Sequence, residues 1–277
     1  MPRFLLFALA GVMIGLGAPS TSVAEDRFII VQSTTSTQNS GLFDAILPQF
    51  LDATGIEARV VAVGTGQALR NAANCDGDVV VVHARAAEDA FVAAGYGTVR
   101  ADLMANEFVV IGPAADPAGV AGVGDVLTAL QSIAAAGAPF ASRGDDSGTH
   151  IRERALWDDA GIDPVANSGG WYRETGSGMG ATLNIAVGMN AYTLADRGTW
   201  LAFENQASHR VLLDGDPALF NQYGIIPVSP DHCPAVRGEA AAVFVDWMVS
   251  PEGQAAIAAH RIDGQQLFFP NAREGAP

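Results

Sequence analysis

The chain has 277 residues, of which 49% are hydrophobic and 16% are charged. Disordered chains are poor in apolar residues and rich in charge, so this composition excludes disorder and predicts one large or two ordinary domains. The basic residues are all arginine, and the formal net charge is -15. A surface this acidic repels a phosphate backbone, which argues against nucleic acid as a partner.

The first apolar run predicts export. Arg3 gives a positive start, an apolar stretch covers 4–16, and Ser22 and Ala24 place small residues before a cleavage point. This is the pattern of a secretory signal peptide over residues 1–24, with an uncleaved N-terminal anchor as the alternative. No stretch reaches the roughly 18 apolar residues that a membrane-spanning helix needs. We therefore expect a periplasmic protein.

The two cysteines, Cys75 and Cys233, both fall in short polar connections. Disulfides persist in exported proteins, and a bridge here would close a long loop and add on the order of a few kcal/mol. Two free thiols are the alternative. The cysteines and the five scattered histidines lack the CxxC and HxxxH spacings of metal sites, so we expect neither a metal nor a cofactor.

Apolar runs alternate with amphipathic runs along the rest of the chain. The pattern predicts strands at 28–32, 59–63, 79–82, 108–111, 191–194 and 224–228, and helices at 42–51, 67–73, 86–94, 123–135, 151–157, 181–188, 240–249 and 251–260. Strands that alternate with helices are typical of an α/β fold with parallel sheets. Pro48 lies inside the first predicted helix, where it forfeits a backbone hydrogen bond, so we expect a kink or an early break there.

Three loops that precede predicted helices are built from hydroxyl groups and glycines. The first turn of a helix offers unpaired N–H groups and the positive end of the helix dipole, so such loops can bind an oxyanion without lysine. One of the loops also contains an arginine, whose forked guanidinium suits a tetrahedral oxyanion. The candidate oxyanion-binding residues are Thr34, Thr35, Ser36, Gly64, Thr65, Gly66, Arg143, Ser147, Gly148 and Thr149.

Each of these features also has a simpler explanation. Serine, threonine and aspartate before a helix commonly serve as N-caps. Arg143 would pair with Asp145 or Asp146 in an ordinary surface turn. A single loop therefore carries little weight, and the hypothesis of an anion site depends on the loops being used together.

An enzyme is the alternative from a different functional class. The segment 145–148 superficially resembles the nucleophile segment of trypsin-like proteases, which would make Ser147 the nucleophile of a hydrolase. Those proteases are pairs of β-barrels with a histidine upstream of the serine, whereas this chain alternates strands with helices. His83, the one upstream histidine, follows a predicted strand and is expected to pack locally. We therefore predict no catalytic activity.

A family resemblance connects the candidate loops. The segments 34–36, 63–69, 78–83, 142–150, 178–183 and 191–197 resemble the TupA-type tungstate-binding proteins, and the similarity runs almost end to end. The resemblance implies a substrate-binding component of an ABC importer with a two-lobed periplasmic-binding-protein fold of type II. Each lobe would be a mostly parallel sheet flanked by helices, with tungstate in the cleft between the lobes.

The resemblance also implies how the chain is divided. Residues 34–36 and 64–66 would face the ligand from one lobe, and Arg143 with residues 147–149 from the other. We predict a first lobe of residues 25–111 plus 224–277 and a second lobe of 112–223. The expected partners are a small inorganic oxyanion and a membrane permease, and the protein is expected to be a monomer.

The choice of ligand depends on hydrogen-bond acceptors in the site. Tungstate and molybdate are fully deprotonated at neutral pH and need only donors, whereas phosphate keeps a proton and favours a carboxylate acceptor. Phosphate is favoured if Asp145 or Asp146 points at the ligand, and a bare dianion if both brace Arg143 or cap the helix. The preference for tungstate comes from the resemblance alone, so molybdate, sulfate and phosphate receptors remain alternatives.

Overall fold

A computed structural model describes residues 27–272. The predicted signal peptide, residues 1–24, lies outside the described residues. The strands are β1 (Phe28–Thr34), β2 (Glu57–Val63), β3 (Val79–Val82), β4 (Ala101–Pro113), β5 (Phe140–Ser142), β6 (Tyr172–Glu174), β7 (Thr193–Asp196), β8 (His209–Leu213), β9 (Phe220–Pro227), β10 (Arg261–Ile262), β11 (Gln265–Gln266) and β12 (Phe269–Pro270).

Helices follow most of these strands. They are α1 (Thr35–Asn39), α2 (Leu42–Thr54), α3 (Thr65–Ala73), α4 (Arg85–Ala93), α5 (Val126–Ala136), α6 (Gly148–Asp159), α7 (Met179–Met189), α8 (Arg197–Ala202), α9 (Gly238–Val249) and α10 (Pro251–Ala259). Within residues 27–272, no helix is both long enough and apolar enough to span a membrane.

The break expected at Pro48 is wrong, because α2 continues through that residue to Thr54. Pro48 lies on the exposed side of the helix. Leu42, Ile46 and Phe50 are fully buried on the opposite side, on both flanks of the proline. Burial of these side chains outweighs the one backbone hydrogen bond that the proline removes.

The eight-stranded main sheet is mixed, which corrects the expectation of mostly parallel sheets. Strands β2, β1 and β3 are parallel neighbours. Strand β9 is antiparallel to β3 and β4, and β12, β7 and β8 are antiparallel to β4. The reason is that β4 takes the chain out of one half of the molecule and β9 brings it back, so the two strands run in opposite directions.

The buried apolar residues of 27–272 form five clusters, and the four larger ones fall into two groups along the sequence. The terminal core contains residues of 29–104 and 223–268, and the central core contains residues of 108–219. Strand β4 contributes Met104 to the terminal core and Phe108 to the central core, while β9 begins just after Leu219 of the central core and places Tyr223 in the terminal core. The chain therefore passes between the two cores along β4 and β9. The exact division into lobes stays a prediction.

The topology brings strand ends together. Because β1, β2 and β3 are parallel, their carboxyl ends at Thr34, Val63 and Val82 lie at one edge of the sheet. Strands β5 and β6 are also parallel and end at Ser142 and Glu174. The loops that follow these ends contain the candidate residues, and the two groups of loops face each other.

Cys75 and Cys233 form a disulfide, the pairing that the sequence left open. The bridge joins the residues just after α3 to the turn that follows β9. Cys75 adopts a positive φ of 66°, and Cys233 is buried beside Ala72 of α3. The disulfide therefore fixes the end of α3 that lies farthest from the loop containing Gly64.

Candidate anion-binding site

Five helices begin in the space between the two cores. Helices α1 and α3 follow strands of the terminal core, and α6, α7 and α8 follow strands of the central core. The N-cap residues are Thr34, Gly64, Ser147, Gly178 and Asp196. The hydroxyl-rich loop after β1 was predicted as a loop, but it forms the short helix α1 because the Thr34 hydroxyl accepts from the Thr37 backbone N–H at 3.2 Å.

Arg143 crosses the cleft from the central side. Its Nη1 lies 3.4 Å from the Ser36 hydroxyl and its Nη2 lies 3.5 Å from the Thr35 hydroxyl. Its Nε donates to the Ser177 carbonyl oxygen at 3.3 Å. The residue is only 2% exposed. Arg143 does pair with Asp145, as the simpler explanation predicted, but it is buried and does not lie in an ordinary surface turn.

The two aspartates that follow Arg143 have different surroundings. Asp145 accepts from Arg143 Nη2 at 2.5 Å, and its other oxygen accepts from the Ser147 backbone N–H at 3.2 Å. The Asp146 side chain is 85% exposed and lies 3.9 Å from the His150 imidazole. Asp145 therefore braces both the arginine and the start of α6, while Asp146 faces solvent.

The backbones of the two sides approach closely where glycines occur. The Gly148 N–H donates to the Thr65 hydroxyl at 3.0 Å, which links the first residues of α6 and α3. A Cβ at Gly64 would lie 3.5 Å from the Asp145 carbonyl oxygen, and one at Gly66 would lie 3.5 Å from that of Asp146. The loop after β5 therefore packs against the start of α3 at both glycines, at distances that leave room for a Cβ.

The remaining candidate hydroxyls differ in what they already bind. The Thr34 hydroxyl shares a 2.8 Å hydrogen bond with the Thr37 hydroxyl. Ser147 accepts from the His150 backbone N–H at 3.2 Å and so acts as an N-cap. The Thr149 hydroxyl is buried and has no hydrogen-bond partner among the described residues. Thr149 is therefore the candidate whose hydroxyl has an unused hydrogen-bonding capacity.

Sequence reasoning gave no role to Asp196 and Thr199. Asp196 is fully buried at the end of β7, and it accepts from the Thr199 backbone N–H at 2.9 Å and from the Thr199 hydroxyl at 2.7 Å. The same hydroxyl lies 3.3 Å from the Ser36 carbonyl oxygen, on the opposite side of the cleft. Burial raises the pKa of Asp196. The Asp-x-x-Thr spacing after a strand was the signal available in the sequence.

A buried polar network supports the strand that precedes Arg143. Glu153 Oε1 accepts from the Tyr172 hydroxyl at 2.7 Å and from Trp157 Nε1 at 3.2 Å. The Tyr172 hydroxyl also lies 2.9 Å from the Ser142 hydroxyl. Burial raises the pKa of Glu153 to about 7, although these hydrogen bonds oppose the shift.

The strands that join the two cores supply a polar floor beneath the cleft. His83 stacks on Tyr223 at 4.7 Å between ring centroids, and its Nδ1 lies 3.0 Å from Asn221 Oδ1. Asn221 donates in turn to Asn106 Oδ1 at 2.7 Å. Burial lowers the pKa of His83 to about 4, so the ring is neutral at physiological pH. His83 thus packs locally.

Ser147 and His150 are not hydrogen-bonded to each other through their side chains within residues 27–272. The Ser147 hydroxyl accepts from the His150 backbone N–H, and the His150 Nδ1 accepts from the Asp146 backbone N–H. One group in this part of the chain gathers possible metal ligands, namely Cys75, His232 and Cys233. Its two sulfur atoms are joined to each other, so they are not thiolate ligands.

Comparisons with known proteins agree with this architecture. The model of the PBP superfamily domain matches residues 19–252. The tungstate-binding protein TupA of Peptoclostridium acidaminophilum is 46% identical over 248 residues, which are 88% of this chain and 86% of that protein.

Two solved structures are similar in both sequence and fold. The tungstate-binding protein TupA from Desulfovibrio alaskensis G20 is 49% identical with a TM-score of 0.76, covering 89% of this chain and 100% of that one. The tungstate ABC transporter structure from Geobacter sulfurreducens is 46% identical with a TM-score of 0.77, covering 84% of this chain and 98% of that one. The chain therefore belongs to the PBP superfamily and, within it, to the TupA family of tungstate-binding proteins.

Proposed function

We propose that this protein binds the tungstate dianion in the cleft between its two cores and delivers it to an ABC importer. The observation that carries the proposal is the position of Arg143, a buried guanidinium that contacts the Thr35 and Ser36 hydroxyls across the cleft. Arginine remains charged at every physiological pH and donates several hydrogen bonds in a fixed geometry. The relatives named above support tungstate as the anion.

The surroundings of the two aspartates support a fully deprotonated anion over phosphate. Both oxygens of Asp145 are used by Arg143 and Ser147, and Asp146 points to solvent. Neither carboxylate is thereby free to accept the proton that phosphate retains. Tungstate and molybdate differ little in size, so the preference between them rests on family membership.

The two cores support a two-lobed binding mechanism. We assign the terminal core to the first lobe and the central core to the second, with β4 and β9 as the connections. The crossings then lie at 104–108 and 219–223, close to the predicted division into 25–111 plus 224–277 and 112–223. The hydrogen bond from Gly148 to Thr65 joins the lobes beside the site. Anion binding to donors of both lobes stabilises the closed arrangement, and that arrangement is what the permease recognises.

The same proposal covers location and partners. The signal peptide at 1–24 directs the chain to the periplasm, where the protein acts as a monomer. It needs no cofactor, and it catalyses no reaction, since a receptor must release its anion unchanged to the permease. A hydrolase that uses Ser147 is disfavoured because the serine hydroxyl serves as the cap of α6.

Isothermal titration of residues 25–277 with tungstate, molybdate, sulfate and phosphate tests the proposal. We expect one tungstate per chain, weaker binding or none for sulfate and phosphate, and no hydrolysis of ester substrates. Ser147→Ala separates the two functional classes, because it should weaken anion binding in a receptor and abolish turnover in a hydrolase. The absence of heat with all four anions would refute the proposal.

A further inference from the structure

The carboxylate of Asp196 is buried, and the proposed function assigns it no role in binding the anion. It is fully buried, it accepts hydrogen bonds from the backbone N–H and the hydroxyl of Thr199, and the Ser36 hydroxyl also stabilises its ionised form. Among the described residues it forms no ion pair within 4.0 Å, unlike the buried Glu88, which is paired with Arg100. A buried carboxylate without a direct cation partner is costly in its ionised form.

A second aspartate N-cap in the same protein, Asp125, shows that capping a helix does not by itself raise the pKa of the carboxylate. Asp125 begins α5 with the same spacing, and it accepts from the Thr128 backbone N–H at 2.8 Å and from the Thr128 hydroxyl at 2.9 Å. These hydrogen bonds lower the pKa of Asp125, which is exposed, whereas burial raises that of Asp196. The two caps are alike in geometry and differ in burial.

The groups facing Asp196 come from each element packed against it. The charge of Arg143, in the loop after β5, favours the ionised form of Asp196, and the Tyr223 side chain faces Asp196 from β9. Helix α1 presents the uncharged Ser36, and α8 presents Thr199. The neighbouring Arg197 pairs with Glu107 of β4 and with Asp214, away from this carboxylate.

The formal charges of the site follow from these contacts. Arg143 contributes one positive charge, Asp145 neutralises it at 2.5 Å, and an ionised Asp196 leaves a net charge of -1. A dianion placed on Arg143 adds two negative charges in the same buried region. Repulsion between like charges that share a buried site raises the pKa of the carboxylate, and binding is then easier when Asp196 is neutral.

We infer that capture of a dianion in this cleft is coupled to uptake of one proton by the Asp196 carboxylate. The inference rests on the proposed function. The proton comes from the solvent and forms one O–H bond, and no other bond changes. Since a proton taken up on binding favours binding at lower pH, affinity should be highest in mild acid. It should then fall up to tenfold per pH unit between the pKa of the free protein and that of the complex.

Titration calorimetry in buffers with different heats of ionisation measures the proton directly. For tungstate binding to residues 25–277, scanned from about pH 5 to pH 8, we expect uptake that approaches one proton per anion within part of that range. Asp196→Asn should abolish the uptake and bind more tightly than the wild type at the alkaline end. Asparagine is also a good N-cap, so the start of α8 is retained.

Two variants serve as controls. Asp125→Asn changes the matched cap outside the cleft and should leave both the uptake and the affinity as in the wild type. Glu153→Gln removes the other buried carboxyl near Arg143 and should keep the uptake. Tungstate binding without proton exchange at every pH would overturn the inference, as would uptake that persists in Asp196→Asn or disappears in Glu153→Gln. No binding of any anion would refute the proposed function itself.

Discussion

The two sides of the cleft differ in charge. On the terminal side, the candidate residues are neutral donors and glycines of α1 and α3, such as Thr35, Ser36 and Thr65. On the central side, the structure places Arg143, Asp145 and Asp196, with Glu153 behind them. This contrast shows how such a site divides its tasks. Under the proposed function, the neutral hydroxyls fix the geometry at any pH, whereas Arg143 and Asp196 set how strongly the anion binds at a given pH.

Replacing Arg143, the cation of the candidate site, should weaken anion binding more than the other changes proposed below. Arg143→Gln leaves Asp145 unpaired opposite the neutral side, and charge-assisted hydrogen bonds contribute about 1.5 to 3 kcal/mol each. We expect the affinity for tungstate to fall about 100-fold or more, as measured by isothermal titration. Arg85→Gln, at a surface pair with Asp89, should bind as the wild type does. Undiminished binding in Arg143→Gln would show that the anion lies elsewhere.

The charged side should also control how stability depends on pH. The pKa of Glu153 is raised to about 7 in the folded protein. This shift contributes fully to the free energy of unfolding below the ordinary glutamate pKa of 4.5, and the contribution is lost as pH rises through 7. The loss amounts to roughly 3 kcal/mol. Glu153→Gln should remove this decline in urea unfolding between about pH 5 and pH 8. The exposed Glu239→Gln should keep it, and a decline that persists in Glu153→Gln would assign it to another group.

A side chain added where the two sides touch should hold them apart. In Gly148→Ala the new Cβ would lie 2.9 Å from His83 Cε1 and 2.9 Å from the Thr65 hydroxyl. His83 is held by Tyr223 and Asn221, so it cannot move easily. We expect tungstate affinity to fall about tenfold.

Gly188→Ala in α7 is the matched control, because nothing lies within 4 Å of its added Cβ. That variant should keep the wild-type affinity and gain about 0.5 to 1 kcal/mol of stability, since alanine favours a helix over glycine. Equal affinities in the two variants would mean that the contact between Gly148 and Thr65 has no part in binding.

The smallest effect is expected on the neutral side. Thr35→Val removes one hydroxyl that faces Arg143 and should lower affinity roughly fivefold, the loss of about 1 kcal/mol expected for one hydrogen bond. Because no charge changes, the loss should be the same at every pH in the titration series. Thr54→Val, at the end of α2, should have no effect on binding. A loss that varied with pH would contradict the division of tasks between the two sides.

The candidate residues that the structure brings together are those with a local pattern in the sequence. Hydroxyl groups and glycines before helices are visible in sequence, and the structure brings Thr35, Ser36 and Thr65 against residues of the loop after β5. Asp196 was missed because its sequence pattern is shared with Asp125, and only tertiary burial separates the two.

Local sequence patterns also predict only part of the fold. Alternating apolar and amphipathic runs predict the α/β class, but the direction in which strands pair depends on contacts far apart in the chain. Strand β9 is paired with both β3 and β4, and no local pattern in 220–227 indicates that the pairing is antiparallel. Short elements such as β5 and α8 contain too few residues to show a period.

The position of β9 has a consequence for biosynthesis. The chain is synthesised from its N-terminus, so β3, β4 and Cys75 leave the ribosome well before β9. The partner of Cys75 in the disulfide is separated from it by 158 residues of sequence. The central core is continuous in sequence, at 108–219, and its strands have their partners sooner. A chain that ended after residue 219 would therefore contain the whole central core, while β3 and residues 101–107 of β4 would lack the strand that pairs with both of them.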